Sequence, residues 1–216
     1  MAEAAPLDLR AWRKAQRARL LEARRTMPAD AHRQASEAVM RELRVRLPLG
    51  NHEMIACYWP FRREFNCVPF MREILRSGGR VALPVVIARG QPLEFRNWSE
   101  DAKMESGVWN IPHPESGPSV TPSVLLIPLV GFDEEGYRLG YGGGYYDVTI
   151  ASFTVRPLLV GVGFEFSRLS SIYPQPHDEP MDVIMTEACV RDGFSRGRLA
   201  RTQPNPVGFD FMKRVP

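Results

Sequence analysis

The chain is poor in lysine, in cysteine and in long apolar runs, and each shortage excludes something. Only Lys14, Lys103 and Lys213 are lysines among 28 basic residues, the other 25 being arginine. A GxxxxGK[ST] phosphate loop is absent, as is the dinucleotide pattern GxGxxG. Three cysteines, Cys57, Cys67 and Cys189, form no CxxC pair, and with four scattered histidines they make no zinc spacing. Reduced thiols fit a cytoplasmic compartment. The longest apolar stretch, Val124–Val130, is broken by Pro128 and falls far short of the roughly 20 residues that span a bilayer. The first ten residues pass straight into arginines, without the apolar segment of a secretory signal. No internal repeat is present.

What is there fits one soluble globular domain: 216 residues, 44% hydrophobic and 25% charged. The charge is uneven. Residues 1–50 carry 11 basic and 6 acidic residues, a net of +5, whereas the other 166 carry 17 and 19, a net of −2. The pI near 8.9 is therefore a property of the N-terminal fifth.

Two helices are expected first. One runs from an Asp8 cap to about Arg25 with Leu9, Trp12, Leu20 and Ala23 on one side. The other runs from Asp30 towards Leu47, ended by Pro48-Leu49-Gly50-Asn51. Met54–Trp59 reads as a buried strand, residues 67–77 as a helix and Arg80–Ile87 as a strand, a strand–helix–strand unit that signals parallel pairing. Leu93–Trp98 is a shorter strand, and residues 99–122 a long irregular, functional loop. Val124–Val130 is the central strand, with Pro128 at its end or beside a bulge. A helix over Tyr145–Phe153 and strands at Leu158–Phe164 and Val183–Thr186 complete a single three-layer α/β domain, mostly parallel sheet with helices on both faces. It is expected to span residues 1–190, with 191–216 a polar C-terminal extension.

The sharpest chemical signal is Arg138-Leu139-Gly140-Tyr141-Gly142-Gly143-Gly144-Tyr145-Tyr146-Asp147. Four glycines before a helix offer backbone amides to an anion, Arg138 adds fixed charge, and Asp147 supplies a carboxylate for a divalent cation. The same residues read equally well as a plain turn into a helix. Tyr58-Trp59-Pro60-Phe61-Arg62-Arg63-Glu64 follows a strand carboxyl end, where α/β sheets bind ligands. Trp59 and Glu64 could hold a heteroaromatic ring; alternatively Tyr58 and Trp59 are core, and Glu64 pairs with Arg62 or Arg63 in solvent. Trp109-Asn110-Ile111-Pro112-His113-Pro114 clusters inside the long loop, and His177-Asp178 sits between prolines as a metal or acid–base site, or as a turn. The Arg-rich first helix suits a nucleic-acid footprint, a phosphate clamp or a solvated face.

Taken in order, the basic first helix, YWPFRREF, GVWNIPHP, LIPLVGFDEEGYRLGYGGGYYD and PHDEPMDVIMTE resemble the 5-formyltetrahydrofolate cyclo-ligase family over roughly residues 10–187. The resemblance implies a ligase that uses ATP and Mg2+ to convert 5-formyltetrahydrofolate to 5,10-methenyltetrahydrofolate. It implies that Arg13, Arg17 and Arg138 through Tyr146 bind ATP, that Arg138 and Tyr145 act in catalysis, and that Asp147 and Asp178 hold Mg2+. The substrate would meet Trp59, Glu64, Trp109 and Tyr141, Gly142, Gly143, Gly144 and Tyr145. A second register of the basic pair, Arg10 and Lys14, stays open, and the chain departs from the family pattern at Arg13, Val148 and Ser167. The expected partners are reduced folate and ATP for a monomeric cytoplasmic protein, with no nucleic acid and no membrane. A catalytically silent binder of folate or nucleotide is the alternative.

Overall fold

A computed structural model describes residues 5–47 and 53–192. Helices α1 (Leu9–Thr26) and α2 (Ala29–Arg46) come first, followed by β1 (Met54–Ala56), α3 (Val68–Arg76), β2 (Arg80–Val85) and β3 (Glu94–Trp98). Next come β4 (Met104–Ser106), β5 (Pro112–Pro114), β6 (Val124–Pro128), β7 (Gly131–Asp133), β8 (Arg138–Leu139) and α4 (Tyr145–Ser152). Strands β9 (Leu158–Val162), β10 (Arg168–Leu169), β11 (Val183–Met185) and β12 (Val190–Asp192) complete the order.

The main sheet has seven strands in the order β12-β11-β9-β6-β1-β2-β3. Its five central strands are parallel, while β3 and β12 close the edges antiparallel. Period-two alternation decides which side chain faces which layer. Ile55, Val124, Leu126, Val160 and Val162 point to the layer where α2 and α3 pack Val39, Leu43, Phe70 and Ile74. Met54, Ala56, Leu125, Ile127 and Leu159 face α4 through Ile150. The three-layer α/β architecture with helices on both faces is thus as the sequence implies.

Local chemistry places the breaks. The Asp8 side chain accepts from the Ala11 amide at 2.9 Å, an N-cap that starts α1. Pro128 ends β6, and Pro84 lies beyond the last β1–β2 pair, so neither removes a bond from the parallel ladder. Three expectations are corrected. Strand β1 stops at Ala56 rather than Trp59, freeing Tyr58 onward for the cavity described below. Residues 99–122 are not irregular throughout: β4 and β5 pair antiparallel and raise a hairpin with Trp109 at its tip. The sheet also runs past residue 190, since β12 reaches Asp192. The expected stop at 48–51 and the C-terminal extension beyond 192 lie outside the described residues.

A second small sheet, β10-β7-β8, carries the residues that matter most. The buried Asp133 carboxylate shapes it, accepting from the amides of Glu135 at 3.1 Å, Tyr137 at 2.9 Å and Ile172 at 3.0 Å. The first two bonds form the turn that sends the chain back as β8, and so aim Arg138. Helix α1 packs Leu20 against Val130, Leu139 and Ile172 beside that sheet.

Candidate active site

A cavity of about 250 Å³ opens where β1, β2 and β6 end. Every candidate residue lines it: Arg13, Arg17, Trp59, Glu64, Trp109, all of Arg138 through Asp147, and Asp178. Arg10 and Lys14 are exposed on α1 and are not among its lining residues, whereas Arg13 and Arg17 are.

One end is cationic and rich in backbone amides. Gly144 caps α4 at φ 69°, and Gly142 adopts φ 92°. A side chain at Gly142 would also crowd its neighbour, since an added Cβ would lie 3.3 Å from the Arg17 guanidinium carbon. Arg17 in turn donates to the Gly140 carbonyl at 2.7 Å, so α1 fastens the glycine loop. Burial and the neighbouring Arg13 charge lower the Arg17 pKa. Leu139 has its side chain in the core beneath, leaving only its backbone to the cavity.

Two ion pairs cross this end. Arg13 meets Asp178 at 2.6 Å and also donates to the carbonyls of Ile172 at 3.1 Å and Tyr173 at 2.9 Å. Arg138 meets Asp147 Oδ1 at 2.7 Å. Burial raises the Asp178 pKa, but hydrogen bonds from Arg13 and the Gln175 amide outweigh it and leave the carboxyl below its ordinary value. The Glu179 amide donates to Asp147 at 3.2 Å, tying the segment that carries Asp178 to α4, and both carboxylates line the cavity. Asp147 Oδ2 has no hydrogen-bond partner among the described residues. The donor set is hard oxygen from only two carboxylates, and no group of three metal-ligating side chains forms among the described residues. That inventory fits a Mg2+ ion whose remaining ligands are phosphate oxygens and water.

The other end is aromatic and surrounds a buried carboxyl. Phe61 stacks on Trp109 with ring centres 6.4 Å apart and 10° between planes, and Tyr141 leans on both, at 5.9 and 5.8 Å. Trp109, 49% exposed, adopts φ 59°, a left-handed conformation that is unfavourable for a bulky residue. Glu64 lies below at 5% exposure, accepting from the Tyr141 hydroxyl at 2.8 Å and the Phe61 amide at 2.9 Å. Desolvation pushes the Glu64 pKa up to about 7, against those hydrogen bonds and the Arg24 charge 3.7 Å away. Burial also raises the Tyr141 hydroxyl, so it stays a donor at neutral pH.

The alternative in which Glu64 pairs in solvent with Arg62 or Arg63 is corrected here: Glu64 is buried, and its cation is Arg24 on α1. Arg24, itself 2% exposed, also donates to the Leu129 carbonyl at 3.0 Å. Phe61, His113 and His177 line the cavity without having been assigned to it. A lone histidine carries no spacing signal, and Arg24 looks like any other basic residue of a charged helix.

A strand-end cavity that joins a cationic amide loop to an aromatic slot over a titratable carboxyl defines a small-molecule enzyme of the α/β class. The chain belongs to the 5-formyltetrahydrofolate cyclo-ligase family, whose model matches residues 9–187. It is 29% identical over 180 residues to the 5-formyltetrahydrofolate cyclo-ligase of Mycolicibacterium smegmatis, covering 79% of this chain and 91% of that one. To the Escherichia coli K12 enzyme of the same name it is 26% identical over 177 residues, 77% and 96% of the two chains. The solution structure of Aquifex aeolicus 5,10-methenyltetrahydrofolate synthetase superposes with a TM-score of 0.73 at 28% identity, covering 83% of this chain and 92% of that one. The chain is a ligase of this family.

Proposed function

We propose that the protein converts 5-formyltetrahydrofolate to 5,10-methenyltetrahydrofolate while ATP becomes ADP and phosphate. One observation carries the reading: the glycine loop, the α1 arginines and the Trp59–Glu64–Trp109 group line the same cavity. The named relatives supply the substrate class.

A formamide oxygen is a poor leaving group, so N10 cannot close the ring by expelling hydroxide. Transfer of the γ-phosphoryl group to the formyl oxygen, with ADP departing, makes it a good one. N10 then attacks the formyl carbon and gives up its proton, the C–O bond breaks, and the phosphate leaves, carrying that proton as hydrogen phosphate. The protein supplies no nucleophile. Its work is alignment and charge neutralisation. The loop amides of residues 140–144 and the N-terminus of α4 would cradle phosphates, with Arg13, Arg17 and Arg138 offsetting their charge. Asp147 and Asp178 would hold Mg2+, which supplies further neutralisation of the phosphate oxygens when bound. Glu64, able to protonate near neutral pH, and Tyr141 would set the pterin edge, with Trp59 and Trp109 walling off water. Tyr145, at the first turn of α4, would stand beside the reacting atoms.

The basic charge of α1 agrees with small-molecule partners, because Arg13, Arg17 and Arg24 turn inward to the cavity and the buried carboxyl beneath it. No helix among the described residues is long and apolar enough to cross a membrane. The test is a mixture of protein, 5-formyltetrahydrofolate, ATP and Mg2+, followed by the absorbance of the methenyl product. Signal that requires all three additions is expected. Folded protein that gives none would overturn the reading.

A further inference from the structure

Around the cavity, almost every guanidinium is already engaged. Arg13, Arg24 and Arg138 face carboxylates, and Arg17 a carbonyl. Arg63 donates away from the cavity, to the Arg25 carbonyl on α1. Arg62 differs. Its guanidinium carbon lies 4.9 Å from the centre of the Phe61 ring and 6.0 Å from that of Tyr141, and it has neither an acidic partner nor a hydrogen bond among the described residues. These contacts place the exposed guanidinium beside two residues of the cavity wall and leave its N–H donors available.

The backbone is built to put it there. Arg62 and Arg63 take φ of 47° and 58°, two consecutive left-handed residues with side chains. The conformation is unfavourable at each, and it persists because Glu64 locks the turn from both directions. The Glu64 amide donates to the Phe61 carbonyl at 3.1 Å, while its carboxylate accepts from the Phe61 amide at 2.9 Å. One strained turn therefore carries both the buried Glu64 and the exposed Arg62, the latter beside the Phe61 ring.

We infer that Arg62 binds the anionic tail of the substrate and so makes the enzyme selective for folates bearing glutamate carboxylates. The inference rests on the proposed folate reaction. A reduced folate carries a hydrogen-bonding ring at one end, an aromatic ring in the middle and carboxylates at the other. From the inside outward the site presents Glu64, then Phe61 with Tyr141 and Trp109, then the unpaired Arg62 guanidinium. A guanidinium fork takes a carboxylate through two parallel N–H donors.

The experiment compares 5-formyltetrahydrofolate with 5-formyltetrahydropteroate, which lacks the glutamate, on wild type and on Arg62→Met and Arg62→Lys. Arg62→Met should raise KM for the glutamate-bearing substrate about fivefold to tenfold, the size expected of a partly exposed charge pair. It should leave KM for the tail-less substrate and for ATP in place, and the tail-dependent difference should shrink at high salt. Arg62→Lys should fall between, and it carries the test alone if Arg62→Met does not fold. Equal shifts for both substrates, no shift, or a shift in ATP KM would overturn the inference. A wild type that turns over neither substrate would overturn the folate reading itself.

Discussion

The Tyr141 hydroxyl donates to Glu64 Oε1 at 2.8 Å across 77 residues of sequence, joining the glycine loop to the turn after β1. Through this bond the cationic end of the cavity and its aromatic end share one hydrogen-bonded wall. Arg24 completes it from beneath.

Glu64 gives a stability signature with a definite sign. Its folded pKa, about 7, stands above the ordinary 4.5, so the native state binds that proton more tightly than the unfolded chain. The contribution is fully present below pH 4.5 and is lost as pH rises towards 7 and beyond, by up to about 3 kcal/mol. Urea midpoints of wild type and Glu64→Gln should therefore diverge in favour of the variant between pH 5 and 8. A difference constant with pH would show that Glu64 titrates alike in both states.

Asp147→Asn keeps an acceptor for Arg138 and the Glu179 amide while removing a negative charge from the cavity wall. Turnover is expected to fall by about a hundredfold or more, with Tm shifted by only a few degrees. Near-normal turnover would remove Asp147 from the proposed cation site.

Because Arg13 and Arg138 occupy the carboxylates, Mn2+ used as a probe for Mg2+ should bind weakly to the protein alone. Adding a non-hydrolysable ATP analogue should tighten it at least tenfold, as phosphates draw the arginines away and add oxygen ligands. Calorimetric titration with and without the analogue measures this. Equal affinity in both would contradict it.

Gly142→Ala must hold φ 92° with a Cβ that crowds Arg17. A loss of about 1–2 kcal/mol in urea denaturation is expected from the backbone term, with a raised KM for ATP as the loop shifts. Unchanged stability would mean that the loop re-forms elsewhere.

Much of this was legible in the residues. Asp8 before a Gly- and Pro-free run marks the start of α1, Pro128 marks the end of β6, and four glycines ahead of Tyr145 mark the approach to α4. Other features had no local signal. The β4–β5 hairpin consists of three-residue strands, one with prolines at both ends, and its tip relies on left-handed Trp109 and Asn110, which no glycine announces. The turn at Arg62 and Arg63 is hidden for the same reason. Arg24 with Glu64, and Arg13 with Asp178, are partners only after folding, since pairs so distant in sequence leave no periodic trace.

The clamp from α1 has a consequence for the order of assembly. Arg17 closes on Gly140, 123 residues downstream, and Arg13 on Asp178, 165 downstream. Helix α1 thus leaves the ribosome long before its anchors exist. Such long-range closure is slow relative to local pairing. During synthesis, α2, α3 and the early strands can begin to pack while the ligand cavity still lacks a wall, so a nascent chain stalled before residue 178 should contain sheet but no complete site.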